Sequence, residues 1–232
     1  MIDIIPAILP IDYEDMKNKV ALVRGISRVV QIDLCDGNFV NSKTWPFSAS
    51  GFEDFNFVRI LNEEEGMPFW EDIDFELDLM VSDAVSNFDL YTKLSPKRLV
   101  FHIEAVGNLE EFKHFLEGID IYVRDSIQIG LAINSTTNIE KIFPLVNYAD
   151  FIQCMGIEHI GFQGELFDER VLVQVRILKE KYPDLIISVD GGVNFKNAQS
   201  LVDVGVSRLV AGSVIFKSED IKETINELES LS

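Results

Sequence analysis

The chain has 232 residues, 47% hydrophobic and 25% charged, an ordinary globular composition with length enough for one large core. Its 39 acidic residues against 20 basic ones leave a net charge of −19, which repels nucleic acid and anionic membrane surfaces and is offset by no Lys/Arg cluster. Cys35 and Cys154 are too few for a disulfide framework, and neither a leader pattern nor an apolar stretch of membrane-spanning length is visible, so a cytoplasmic protein is expected.

In chain order, apolar runs of strand length alternate with helical patterns. Strands are predicted near 2–8, 28–34, 74–80, 97–103, 126–133, 149–155, 185–190 and 207–212. Helices are predicted near 12–24, 51–65, 82–94, 108–117, 138–147, 168–182, 194–204 and 218–230. Eight βα units predict one (β/α)8 barrel over residues 1–232. A doubly wound open sheet is the alternative. Asn108, Asp168 and Ser218 are candidate helix caps. The irregular stretches 35–50 and 156–167 are predicted loops after strands 2 and 6, the second a mobile cover over a ligand.

Two glycine groups stand out in the final third. Val189-Asp190-Gly191-Gly192-Val193 and Val210-Ala211-Gly212-Ser213 each follow an apolar run, where a strand is expected to end and a helix to begin. Loops after the seventh and eighth strands of such a barrel usually grip phosphate, and glycine lets a ligand approach the main chain. Gly191, Gly192, Gly212 and Ser213 are therefore candidate phosphate-binding residues. With a net charge of −19, such a site relies on local amides and not on long-range attraction.

Polar residues also interrupt apolar strands at their carboxyl ends: Gln31 and Asp33 on strand 2, Asp78 on strand 3, His102 and Glu104 on strand 4, Asp190 on strand 7. A buried charge is costly unless it is paired, bound to metal or used. Asp33 and Asp190 come from well-separated strands. Facing across the mouth, they could remove a proton from one side of a substrate carbon and return one on the other, inverting a carbon next to a carbonyl. The bland alternative is that both merely cap the following loops.

The chain resembles the ribulose-phosphate 3-epimerase family. The likeness runs through Pro6-Ala7-Ile8-Leu9, the stretch 32–40, Asp78-Leu79-Met80, His102-Ile103-Glu104-Ala105, Val189-Asp190-Gly191-Gly192-Val193 and the stretch 211–216. It implies a (β/α)8 barrel interconverting D-ribulose 5-phosphate and D-xylulose 5-phosphate, with two aspartates as acid and base around a divalent metal. By resemblance Asp33 and Asp190 take those positions, the four glycine-loop residues take the phosphate, and Met80 and Met155 line the pocket with Gln31, His102 and Gly161. Homo-oligomers are common among such barrels by the same resemblance.

The departures from that pattern carry consequences. Where the family has metal-binding histidines on strands 2 and 3, this chain has Gln31 and Asp78; an early Ser is Ala7, a Met is Cys35, and the loop 158–164 lacks its Pro. An oxygen-only set of Asp33, Asp78 and Asp190 favours Mg2+ or Mn2+ over Zn2+. With no metal at all, Gln31 would donate to the enolate instead. The expected partner is a phosphorylated ketose. Two further readings stand beside an epimerase: a sugar-phosphate-binding pseudoenzyme, and another isomerase or lyase on the same barrel. His159, in the predicted cover, is a candidate substrate contact; His114 is expected on a helix surface, and neither cysteine has a partner that would activate it.

Overall fold

The apolar runs form eight parallel strands: β1 Asp3–Ile8, β2 Val29–Cys35, β3 Asp74–Met80, β4 Arg98–His102, β5 Gln128–Ile133, β6 Phe151–Met155, β7 Ile187–Asp190 and β8 Arg208–Ala211. Each pairs with its neighbour in sequence, and β8 returns to β1, closing the ring. The computed structural model describes residues 2–231. The open-sheet alternative is thereby excluded, and the architecture is the expected (β/α)8 barrel.

Alternation along each strand explains the closure. In β2, Val30, Ile32 and Leu34 face outward into the large apolar cluster beneath the helices, while Gln31, Asp33 and Cys35 take the other face. Outward residues of β3 and β4, such as Leu77, Leu79, Leu99 and Phe101, join the same cluster. Burying each such side chain contributes about 1.5–3 kcal/mol. The inward face is mixed. Phe151 lies against Gly130 of β5, where a side chain would collide with its ring, and the Arg208 guanidinium sits 4.7 Å over that ring. Arg98 bonds buried Glu76 at 3.1 Å. These residues plug the amino-terminal end of the barrel, and the polar site lies above them.

The helices are α1 Tyr13–Val23, α2 Phe55–Leu61, α3 Phe88–Thr92, α4 Leu109–Gly118, α5 Ile121–Ser126, α6 Arg170–Lys181, α7 Ala198–Asp203, α8 Ser213–Phe216 and α9 Ile221–Glu229. Several depart from their predicted lengths for local reasons. The predicted helix 51–65 begins as a 3-10 turn, Gly51–Glu53; α2 starts anew where Asp54 accepts from the N–H groups of Asn56 and Phe57. The helix predicted over 82–94 shrinks to α3, with turns over 82–87 before it. The segment 138–147 is two 3-10 helices, Ile139–Lys141 and Phe143–Tyr148, since Pro144 cannot continue an α-helix. Helix α5, capped by Asp120, was not foreseen.

Of the predicted caps, Asn108 accepts from Glu110 and Glu111 as expected. Asp220, not Ser218, caps α9, and Ser218 supports it by accepting from the Asp220 N–H at 3.1 Å. Glu169, not Asp168, is the residue before α6 and makes no side-chain cap bond, while Asp168 one position earlier accepts from the Arg170 N–H at 3.0 Å.

Candidate active site

Closure of the ring brings together residues that are far apart in the chain. Asp33 and Asp78 are register partners on adjacent strands, and Asp190 ends β7 next to Met155 of β6. All three carboxylates are buried, and each offers an oxygen within 4.8 Å of the others. They form a ligand-type cluster at the carboxyl-terminal end of the strands, where barrels of this kind carry their chemistry.

The cluster is stitched from below by amides. Gln31 Nε2 donates to Asp33 Oδ1 at 2.6 Å and to Asp190 Oδ2 at 2.8 Å. Gln153 Nε2 donates to Asp78 Oδ2 at 3.0 Å and to Asp190 Oδ2 at 3.3 Å. His102 Nε2 lies 2.7 Å from Asp78 Oδ1. Gln31, His102 and Gln153 are almost wholly buried and do not line the cavity at the mouth; they sit behind the carboxylates. Gln153 was not singled out from the sequence. Its signal was the one that drew attention to Gln31, a polar residue interrupting the apolar strand Phe151–Met155.

These surroundings set the proton affinities. Burial, then the charges of Asp190 and Asp78, push Asp33 well above the usual carboxylate range, and the Gln31 hydrogen bond opposes them. Burial and the Asp78 charge push Asp190 up to about 7, again against the Gln31 bond. For His102, burial works to lower the pKa, but the charge and hydrogen bond of Asp78 outweigh it and the net direction is upward. The cysteines are buried and free, with Cys154 pushed up to about 12 by burial and Cys35 pushed higher than the ordinary thiol range by burial and the charge of Asp33.

Above the carboxylates lies a small cavity of about 40 Å³, bordered by Asp33, Met80, Met155, Gly161, Asp190, Gly191, Gly192, Gly212 and Ser213. Gly191 and Gly192 have φ of +99° and +69°, which L side chains rarely adopt, so the turn after β7 requires glycine. It does not start a helix: α7 begins only at Ala198. Gly212 does lead into a helix, the single turn of α8.

The loop 156–167 closes this cavity. Ile160 packs on the cluster of Cys35, Val40 and Met80, and Gly161 fits so tightly that a Cβ would lie 2.6 Å from Ser42 Oγ. Gln163 Nε2 donates to the Ala7 carbonyl at 3.1 Å. Ile157 and residues 161–164 of this loop line the cavity, so the loop borders any ligand that enters it. His159 is exposed on the loop and does not border the cavity, and His114 is exposed on α4. Glu104 leaves the cluster and accepts instead from the Asn134 N–H at 2.8 Å.

The oxygen-rich cluster fits a hard divalent cation. Three carboxylates converge, and two buried amide oxygens beside them, Gln31 Oε1 and Gln153 Oε1, have no partner among the described residues. A buried group of three carboxylates needs protons or a cation to offset its charge.

Residues 3–216 match the ribulose-phosphate 3 epimerase family. Ribulose-phosphate 3-epimerase of Aquifex aeolicus is 26% identical over 231 residues, covering 97% of this chain and 95% of that one. The Bacillus subtilis protein of the same name is 26% identical over 234 residues, covering 98% of each. Among solved structures, KGPDC from Streptococcus mutans superposes with a TM-score of 0.68 at 12% identity, covering 100% of this chain and 97% of that one. A 3-hexulose-6-phosphate synthase gives a TM-score of 0.65 at 15% identity, covering 100% and 99%. At such identities the structural likenesses establish the fold alone. Among the described residues, no helix is long and apolar enough to cross a membrane.

Proposed function

The chain belongs to the ribulose-phosphate 3-epimerase family, and from that premise we propose that it epimerises a pentulose 5-phosphate beside its carbonyl, with Asp33 and Asp190 as the proton-transfer pair. Family membership and the epimerase relatives support an enzyme of the isomerase class with a phosphorylated pentose as substrate. The observation that carries the finer reading is that Asp33 and Asp190 both border the cavity while sharing one buried amide, Gln31.

In this mechanism one carboxylate takes the proton from the substrate carbon next to the carbonyl. The electron pair of the broken C–H bond moves into an enediolate. The other group, starting protonated, delivers its proton to the opposite face, and the carbon is inverted. With Asp190 held near 7 and Asp33 also raised, the pair can hold one proton at neutral pH, the starting state this transfer needs. The phosphate sits on the turns at Gly191, Gly192, Gly212 and Ser213, where the main chain is open to close approach. Met80 and Met155 flank the sugar, and loop 156–167 excludes water.

Asp33, Asp78 and Asp190 would hold a divalent cation, Mg2+ or Mn2+ in preference to Zn2+ because their donors are all oxygen. Held there, the cation supplies positive charge to the developing enediolate.

The test is solvent deuterium incorporation into ribulose 5-phosphate at carbon 3. Wild type is expected to exchange and to epimerise, Asp33→Asn and Asp190→Asn each to abolish epimerisation while retaining most substrate affinity, and only the variant lacking the carboxylate that faces the C3 hydrogen of ribulose 5-phosphate to lose exchange as well. Undiminished epimerisation in either variant, or undiminished exchange in both, overturns the two-aspartate assignment. A wild type that binds pentulose phosphates yet exchanges no proton, with or without Mn2+, overturns the epimerase reading in favour of a sugar-phosphate-binding protein.

A further inference from the structure

Gln153 is fully buried in the middle of an otherwise apolar strand, β6. A buried primary amide is costly unless its donors are used. Here its oxygen partners are carboxylates from other strands, Asp78 Oδ2 and Asp190 Oδ2, at 3.0 and 3.3 Å, and Met155 Sδ on its own strand is a weaker acceptor at 3.8 Å. The amide's orientation follows: turning it over would set its oxygen against two carboxylate oxygens. Gln31 reaches the same Asp190 oxygen from the other side, at 2.8 Å. Oδ2 of Asp190 thus receives two N–H donors, while among the described residues Oδ1 has no hydrogen-bond partner. Asp190 borders the cavity and Gln153 does not.

We propose that Gln153 is a positioning residue for proton transfer: with Gln31 it occupies Oδ2 of Asp190 and leaves Oδ1 as the oxygen that exchanges the proton with substrate. The proposal rests on the reading of Asp190 as a proton-transfer group. A carboxylate free to rotate would present either oxygen, in a range of directions, to the substrate carbon. Two donors from opposite sides of the barrel remove that freedom. Proton transfer is steeply sensitive to such placement, since misplacement by about 1 Å can cost roughly a hundredfold in rate. Gln153 stands behind the cavity wall, holding Asp190 and only weakly Met155, and does not itself line the cavity, so its loss should act mainly on turnover.

The experiment compares wild type with Gln153→Met, which keeps length and bulk but removes both N–H donors. Epimerisation of ribulose 5-phosphate is expected to lose about ten- to a hundredfold in kcat, with KM changed by less than about threefold. In protein with 15N-labelled glutamine side chains, the Gln153 amide protons should exchange slowly with solvent and shift in Asp190→Asn. A folded Gln153→Met with kcat within about twofold of wild type, or with KM raised and kcat kept, overturns the proposal. So do Gln153 amide protons that exchange as fast as exposed ones. Should Gln153→Met not fold, Gln153→Leu, uncharged and equally without donors, is read by the same kcat and KM criteria. An inactive wild type is a different failure: it removes the epimerase reading first and the positioning role with it, whereas an active wild type indifferent to Gln153 removes the positioning role alone.

Discussion

Nε2 of His102 lies 2.7 Å from Oδ1 of Asp78, and neither side chain has any exposure. Asp78 is engaged on its other oxygen by the Gln153 amide, so its two oxygens are held from the adjacent β4 and, across the barrel, from β6. Removing one partner from a buried ion pair strands the other charge, at a cost of about 3–5 kcal/mol. His102→Leu is therefore expected to lose stability of that order in urea unfolding at pH 6. The double variant with Asp78→Leu should recover most of it. A single variant costing less than about 1 kcal/mol would show that the pair is not ionised.

Stability should also fall as pH rises through neutrality. Asp190 binds its proton up to about 7 in the folded protein, against an ordinary value of 3.8, so the folded state retains a proton that the unfolded chain releases across that window. A raised folded pKa contributes stability below the unfolded value and loses it as pH climbs through the folded one. His102, also raised, adds to the decline above its ordinary 6.5. Asp190→Asn removes its share, so relative to wild type this variant should gain a few kcal/mol between pH 4 and 7 in metal-free protein. Urea unfolding across that range reads the difference; a flat difference would mean that Asp190 is ionised throughout.

The same logic predicts the response to cations. A cation at Asp33, Asp78 and Asp190 offsets the charge that destabilises the cluster at pH 8, so Mn2+ or Mg2+ should raise Tm there, and less so at pH 5, where protons compete. The protein purified without added metal is expected to carry little zinc by elemental analysis, and Asp78→Asn to abolish the Mn2+-induced rise. Stoichiometric zinc bound at these residues would contradict the oxygen-donor reading.

A side chain at position 212 would enter the proposed phosphate site. A Cβ there lies 3.0 Å from the Ala7 carbonyl oxygen and collides with the Gln163 amide, the far end of a flexible side chain. Gly212→Val should therefore weaken binding of ribulose 5-phosphate, read by calorimetry, at least tenfold while circular dichroism stays that of a folded barrel. Unchanged affinity would place the phosphate elsewhere.

Much of this was legible in the chain itself. Eight apolar runs separated by helical patterns leave little choice but a parallel sheet, because each connection is long enough to cross over. Asp33, Asp78, His102 and Asp190 announced themselves by breaking those runs, and Asn108 by its spacing to Glu111. Helix lengths were less legible: the pattern over 82–94 gave only the short helix Phe88–Thr92, and that over 138–147 broke into two 3-10 helices around Pro144.

The partners of the polar residues were decided only by tertiary structure. That Gln31 would bridge Asp33 and Asp190, that His102 would pair with Asp78, and that Gln153 would reach two carboxylates all depend on ring closure, which sets the registers of β2, β3, β4, β6 and β7 against one another. Patterning along a strand records which face a side chain takes, since alternation is local. It does not record what meets that side chain across the barrel, because the strands that supply those partners are joined through crossovers and brought together only when the sheet shuts.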